Sequence, residues 1–392
     1  MKEAGFGVGV LAPKGSLIHS TRYIDEKFIL GARGFEPIIR RGIKNAFEKF
    51  APDIIVPCDE QAAAIVSHWV EKGAGTGRLL PPQLLQCLER SLGAAEGLSQ
   101  RASKPETLAK ARAVGVVCPR ETIVEDFSHC QKVAVEYGYP VVLKLSRGVG
   151  GYSVRVCNTK EELNEAFRRY KRSQWRSNDL FRRLIRQGGY KGRLDIVVQE
   201  HVSGRPGISC ASAINGTTVS VLTGLVETAR SQTGPATVVR LTNQPSIVDA
   251  TVKMIAAFGA SGFMSFDFIV DDQGQAHLIE CNPRPTQMAP LGPLVGVDLA
   301  GALLKTLQDQ RHGTGYEVPT GEQTISLFPQ EWSRDPFSPS LQATYHDVPW
   351  DDATLLAALI GKVAGQKQRR RFLWRGRSEG RAHGARPVTI TR

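Results

Sequence analysis

What this chain of 392 residues lacks closes off several classes of protein. No apolar run approaches the roughly 18–20 residues that a membrane-crossing helix needs. The opening Met1-Lys2-Glu3-Ala4-Gly5 has neither the apolar core nor the cleavage site of a secretory leader. No membrane span and a cytoplasmic location are therefore expected. The seven cysteines stand singly, at 58, 87, 118, 130, 157, 210 and 281. An odd count without C-x-x-C predicts neither a disulfide framework nor a zinc site. No G-x-x-x-x-G-K-[ST] occurs, which excludes a P-loop, and Gly5-Phe6-Gly7-Val8-Gly9 follows no strand and misplaces the third glycine of a dinucleotide fingerprint. Acidic charge is scarce in two places only. Residues 168–193 carry ten Lys/Arg against Asp179, and residues 362–392 carry ten against Glu379, so the overall +12 leaves a net acidic remainder. The first block extends a helix that begins near Glu161 and reads as a solvated basic face; the tail from Gln366 reads as disordered.

What is present suffices for two or three domains and a substantial core: ample length, and 41% hydrophobic residues. Strand and helix alternate over residues 1–98. A strand is expected at 7–11, helices at 38–50, 61–69 and 84–92, and a buried strand at Ile54-Ile55-Val56 that ends in Pro57-Cys58-Asp59-Glu60. This is α/β organisation with a parallel sheet. Ligands in such sheets sit beyond the carboxyl ends of strands, which makes the 57–60 loop a candidate substrate contact.

Residues 259–287 organise the rest of the chain. An apolar strand at 263–270 meets a turn, Asp271-Asp272-Gln273-Gly274, and returns as a strand at 276–281. Glu280 and Asn282 are two apart, so both point to one face of an extended strand, and Asp267 folds back beside them. Three oxygen ligands on one face suit Mg²⁺, a hard ion that binds through one or two carboxylates plus substrate phosphates. A plain hairpin with polar ends would look the same.

Upstream, Lys144 lies inside the apolar strand Tyr139-Pro140-Val141-Val142-Leu143-Lys144-Leu145. A lysine there is costly unless it meets an anion. The loop that follows holds Gly148, Gly150 and Gly151, whose backbone N–H groups can converge on phosphate oxygens. An Asn215-Gly216 hairpin joins strands at 208–213 and 218–224, residues 227–240 read as loop, 245–258 as helix, and Gly296-Val297-Asp298-Leu299 opens another helix.

Glu280-Cys281-Asn282-Pro283-Arg284 after an apolar strand resembles the metal-binding strand of the ATP-grasp superfamily, which ends in E-x-N-P-R. Three further stretches agree. Lys104 precedes a helix at 106–114 and then Gly115-Val116-Val117-Cys118-Pro119, like the start of an ATP-grasp domain. Lys144 leads into a glycine-rich loop. Residues 194–202 resemble the linker between the two lobes. The resemblance covers residues 5–310, and it is to carboxylate–amine ligases and carbamoyl-phosphate-synthase-like domains of that superfamily.

It implies a fold that is α/β, with an α+β core: a two-lobed ATP-grasp domain at 99–310, a truncated Rossmann-like domain at 1–98 that lacks its first β-α unit, and an extension at 311–392. It implies ATP with Mg²⁺ (or Mn²⁺), and a reaction that joins a carboxylate to an amine through an acyl phosphate. Asp267, Glu280 and Asn282 would hold the metal. Lys104, Lys144 and the Gly148, Gly150 and Gly151 loop would meet phosphates, and Gln199, Glu200 and Val202 the adenine. Two departures stand out. Many members have a ribose-binding acid where this chain has Pro206 or Gly207, and ligases of the D-alanyl-D-alanine type carry arginine where it has Ser265. Arg284 would then serve the reacting centre, with Arg230 or Arg240 as helpers. The partners implied are small-molecule acids and amines. The acidic catalytic body argues against nucleic acid, and a homodimer stays open. The rival readings are another ATP-grasp chemistry, such as bicarbonate activation or phosphorylation, and a nucleotide-binding regulator without turnover.

Overall fold

In the computed structural model the described residues are 1–31, 36–76, 80–96, 98–101, 103–146, 153–177, 194–309 and 315–365. The first unit holds β1 (Gly9–Pro13) and β2 (Glu26–Leu30), paired in parallel, followed by α1 (Glu36–Phe50), α2 (Glu60–Thr76) and α3 (Pro82–Leu92). Its core is helical, with Trp69, Val70, Leu84 and Leu88 sealed between α2 and α3. Among the described residues the expected parallel sheet is only these two strands. Ile54-Ile55-Val56 has no place in a ladder, because Ile55 N–H donates to Ser91 Oγ at 2.8 Å instead of to a neighbouring strand. The Rossmann-like preface is thus not borne out as a sheet.

A short helix, α4 (Leu98–Arg101), leads into α5 (Lys104–Ala113). A four-stranded sheet follows, ordered β3 (Glu121–Val124), β6 (Ile196–Glu200), β4 (Val141–Leu145), β5 (Val154–Cys157). The helices α6 (Phe127–Tyr137) and α7 (Lys160–Ser177) cover one face, where Leu143, Leu145, Ile196 and Val198 are buried. Side chains alternate across a strand, so Lys144, Val197 and Gln199 face the other way.

The larger sheet has seven strands, in the order β11-β10-β7-β8-β9-β12-β13. These are β7 (Arg205–Ile214), β8 (Thr217–Ala229), β9 (Ala236–Leu241), β10 (Gly262–Val270), β11 (Ala276–Asn282), β12 (Gln323–Ser326) and β13 (Tyr345–His346). The β7–β8 turn places Asn215 at φ 49° and Gly216 at φ 80°, the doubly left-handed pair that matches strand twist. In the β10–β11 turn the Asp271 carboxylate accepts the N–H groups of Gln273 and Gln275 at 3.0 and 2.9 Å. The segment read as loop at 227–240 is mostly strand, since Ala236-Thr237-Val238-Val239 is β-branched enough to pair with β8 and β12.

The helix α8 (Pro245–Phe258) packs on one face of this sheet, and α9 (Leu299–Asp309) on the other. Ala94 N–H donates to Gly259 O at 2.9 Å, and Ser261 N–H donates to Leu92 O at 3.0 Å. A Cβ on Gly93 would come within 2.0 Å of Gly259 O, so the first unit docks here only with glycine. Buried Arg101 donates to Leu92 O and Phe258 O, both at 2.6 Å. No single helix among the described residues is long and apolar enough to cross a membrane.

Candidate active site

The paired strands β10 and β11 put Asp267 directly opposite Glu280, and Ser265 opposite Asn282. A bulge after Asp267 sets the register, so that both pairs share one face. Asn282 Nδ2 donates to Asp267 Oδ2 at 3.0 Å. Burial, and then the neighbouring Glu280 carboxylate, push Asp267 up to about 7. Two facing carboxylates in a poorly solvated place repel each other. The residues fit a divalent cation, because its charge would relieve that repulsion while Asn282 contributes a neutral oxygen.

Lys104 opens α5, where the helix dipole disfavours a cation. Its ammonium is nevertheless buried and sits 3.1 Å from Glu280 Oε2. An anion, not the helix, explains its position. Across the cleft, Lys144 Nζ lies 2.8 Å from Glu121 Oε2, with side chains only 2% and 4% exposed. The contact is close enough for an ion pair but not aligned as a hydrogen bond. Burial pulls the Lys144 ammonium below the usual lysine range, and Glu121 partly opposes this. Gln199, opposite Glu121 in the β3–β6 ladder, donates its amide to the same Oε2 at 3.3 Å.

Arg284 leaves the end of β11 and reaches Glu60 Oε1 at 3.3 Å. Its Nε is buried without a partner among the described residues. The 57–60 loop therefore does come to the site: Asp59 Oδ1 accepts from Ala62 N–H at 2.7 Å as α2 begins, and Glu60 stands in the first turn. Ser265 donates to Arg284 O at 3.0 Å, so the residue that departs from the ligase pattern braces the arginine next to it.

Not every expected residue joins this group. Glu200 points to the opposite face from Gln199 and is held by Arg120 at 3.2 and 3.1 Å. Val202 lies in the connection between β6 and β7. Arg240 pairs with Glu227 at 2.8 Å and Glu322 at 3.0 Å. The register runs Asp267–Ile208–Gly224–Leu241, which puts Leu241 in the row of Asp267 and Arg240 on the other face. Arg230 donates to Ser333 Oγ at 3.1 Å. Gly148, Gly150 and Gly151 lie outside the described residues.

Two features escaped the sequence reading. One is Glu121, whose only signal was an acid directly after Pro119-Arg120 at the start of a short strand. The other is the Gln287 amide, which donates to Phe328 O at 3.2 Å and Asp347 Oδ2 at 3.0 Å and brings the C-terminal segment to the exit of the hairpin. Burial holds the Asp347 carboxyl above its usual range.

A family model described as "ATP-grasp domain" matches residues 101–288. The chain is 24% identical over 241 residues to the 2-oxoglutarate carboxylase small subunit of Hydrogenobacter thermophilus, covering 57% of this chain and 48% of that relative. It thus spans about half the length of that curated protein. Among solved structures it is similar to a biotin carboxylase from Campylobacter jejuni, with TM-score 0.62 and 17% identity, covering 82% of this chain and 70% of that one. It is also similar to an L-amino acid ligase from Bacillus licheniformis, with TM-score 0.57 and 15% identity, covering 82% and 74%. These likenesses show the two-lobed fold.

Proposed function

Because the chain carries an ATP-grasp domain, we propose that it is an ATP-dependent ligase that joins a carboxylate to an amine through an acyl phosphate and releases ADP and phosphate. The observation that carries this is the facing pair Asp267 and Glu280 with Asn282, flanked by Lys104 and Arg284. Mg²⁺ at Asp267, Glu280 and Asn282 would supply charge neutralisation across the terminal phosphates. Lys104 would trade Glu280 for a phosphate oxygen, and Lys144 would stay on the cleft wall. The acid's oxygen attacks the γ-phosphorus, and ADP leaves. The amine then attacks the acyl carbon and expels phosphate. Arg284 would stabilise the negative charge that gathers on the acyl oxygen in that second step. Its Glu60 contact holds the guanidinium in position until an anion takes it.

The domain limits follow from the same reading: a first unit to about residue 98, the nucleotide-binding body to about 310, and a C-terminal segment that closes on Gln287. A second reading replaces the organic acid with bicarbonate, and the carboxylase names among the relatives favour it. The test is release of ADP and phosphate from Mg²⁺-ATP with pooled carboxylic acids and amines, and separately with bicarbonate, using Glu280→Gln as control. ADP formation that needs both an acid and an amine supports ligation, whereas formation with bicarbonate alone supports the second reading. AMP and pyrophosphate would overturn both.

A further inference from the structure

A cavity lies where the first unit meets the body, and a buried cation lines it. Arg101 is 2% exposed, and its Nε has no hydrogen-bond partner among the described residues. The other two guanidinium nitrogens are engaged. They donate to Leu92 O and Phe258 O, where α3 and α8 end, and weakly to Ala94 O at 3.5 Å. Helix C-termini carry partial negative charge, which falls short of a counter-ion. Among the described residues Arg101 forms no ion pair with a carboxylate. Glu71 acts on it only through space, and burial outweighs that pull and lowers the guanidinium to about 10. A buried charge needs a partner, and an orphaned buried donor calls for an explanation such as an ion.

The rest of the lining says which ion. Three serines bring hydroxyls to the cavity. Ser91 is committed to Ile55 N–H and Cys87 O, and Ser261 to Asn215. Ser67, on α2 and 4% exposed, supplies a second donor. No acidic side chain stands among the described residues of the wall, which is otherwise mostly apolar. One fixed positive charge and hydrogen-bond donors select an anion with one negative charge. The space is that of about one water molecule, so a halide fits, whereas phosphate and sulfate do not. An apolar wall cannot replace the hydration of a strongly hydrated ion, which favours chloride or bromide over fluoride.

We infer that Arg101 and Ser67 hold a small monovalent anion, of chloride size, at the junction of the first unit and the body. Pro57 and Pro283 line the same cavity. Pro57 opens the loop that carries Glu60, and Pro283 directly precedes Arg284; those two side chains meet at 3.3 Å. The anion therefore packs behind the contact that holds Arg284 and braces it without touching a substrate. Its cation is Arg101, so the site is separate from the lysines and the hairpin carboxylates of the cleft.

The test starts from the full chain dialysed into sodium gluconate, with other sodium salts added at constant ionic strength. The chloride NMR line width reports binding, and the denaturation midpoint reports its effect on the fold. Saturable broadening by chloride, reversed by bromide but not by fluoride or sulfate, is expected, with a rise in the midpoint over the same concentrations. Ser67→Val removes one donor, leaves the carbonyl contacts of Arg101 in place, and should weaken chloride binding about 5- to 10-fold. Arg101→Met should weaken it by about 100-fold or more. Should Arg101→Met fail to fold, Ser67→Val decides, because chloride binding unchanged by that substitution overturns the inference. A midpoint that follows ionic strength whatever the anion, with no saturable broadening, overturns it as well and leaves water as the partner of Nε. Neither readout involves turnover, so the inference and the ligase reading fail independently.

Discussion

The cleft holds two lysine–glutamate pairs of the same chemistry in different surroundings. Lys144 and Glu121 approach to 2.8 Å with 2% and 4% of their side chains exposed. Lys104 and Glu280 approach to 3.1 Å with 7% and 24% exposed. In the first, neither charge has water to return to, so the pair is part of the wall. In the second, Glu280 keeps some solvent and faces Asp267, and under the proposed function it would exchange Lys104 for a metal ion. Distance alone does not separate a fixed pair from an exchangeable one; what each partner has available when the contact breaks does.

The largest expected effect tests the exchangeable pair. Glu280→Gln should lower ADP formation by roughly 10³-fold or more, since it removes one of two carboxylates from the hairpin and a fixed counter-charge from Lys104. Binding of metal-free ATP, measured by competition, should change by less than about 3-fold, since Lys104 is released rather than lost. If metal-free binding collapses in step with turnover, the two pairs are not distinct in kind.

The next effect tests the fixed pair by stability. Lys144→Met strands Glu121 in a dry site and should cost about 3–5 kcal/mol in denaturant unfolding. Lys104→Met leaves Glu280 able to hydrate and should cost about 1 kcal/mol. The double substitution Lys144→Met with Glu121→Leu should recover most of the loss, because an apolar pair of similar volume removes the stranded charge. Equal costs for the two lysines would erase the difference in burial as an explanation.

A pH series sharpens the same contrast from the side of Asp267. Its carboxyl is raised to about 7 in the folded protein, by burial and by Glu280. A group that holds its proton more tightly when folded favours the native state at low pH, and that contribution is lost as pH rises from about 4 through about 7. Without metal, stability should therefore fall over this window, by on the order of 4 kcal/mol from this group. Asp267→Asn should flatten the fall, and Mg²⁺ should restore stability most above pH 7. A flat wild-type profile would mean that neither burial nor Glu280 raises the Asp267 carboxyl in the absence of metal.

These contrasts explain how much of the site could be read from the chain. The β10–β11 hairpin was legible because its parts are local: Asp267, Glu280 and Asn282 are tied by one turn whose Asp271 and Gly274 announce themselves, and strand alternation brings the three to one face. The two-lobed body was legible through Lys104, Lys144 and the E-x-N-P-R sequence. Glu121 was not, because its contact with Gln199 depends on the β3–β6 register between residues almost eighty apart, which no local period encodes. Glu200 shows the complementary case: it neighbours Gln199 in sequence, but alternation sends its side chain to the other face, where Arg120 holds it. The short N-terminal sheet failed because Ile54-Ile55-Val56 has strand composition, while Ser91 takes the Ile55 N–H that a ladder would need.

The smallest expected effect supplies the control for the whole comparison. Arg240 and Glu227 are as close as the sealed pair, at 2.8 Å, but their side chains are 27% and 31% exposed. Hydration of either partner offsets most of what the contact contributes. Arg240→Ala should therefore cost less than about 1 kcal/mol in unfolding. Turnover should also stay within about 3-fold, because the register puts Arg240 on the face away from Asp267, where its charge is paired and partly hydrated. A large loss of turnover with stability intact would return Arg240 to the reacting centre. It would require the β8–β9 hairpin to move when substrates bind, since the register as it stands gives the guanidinium no route through the sheet.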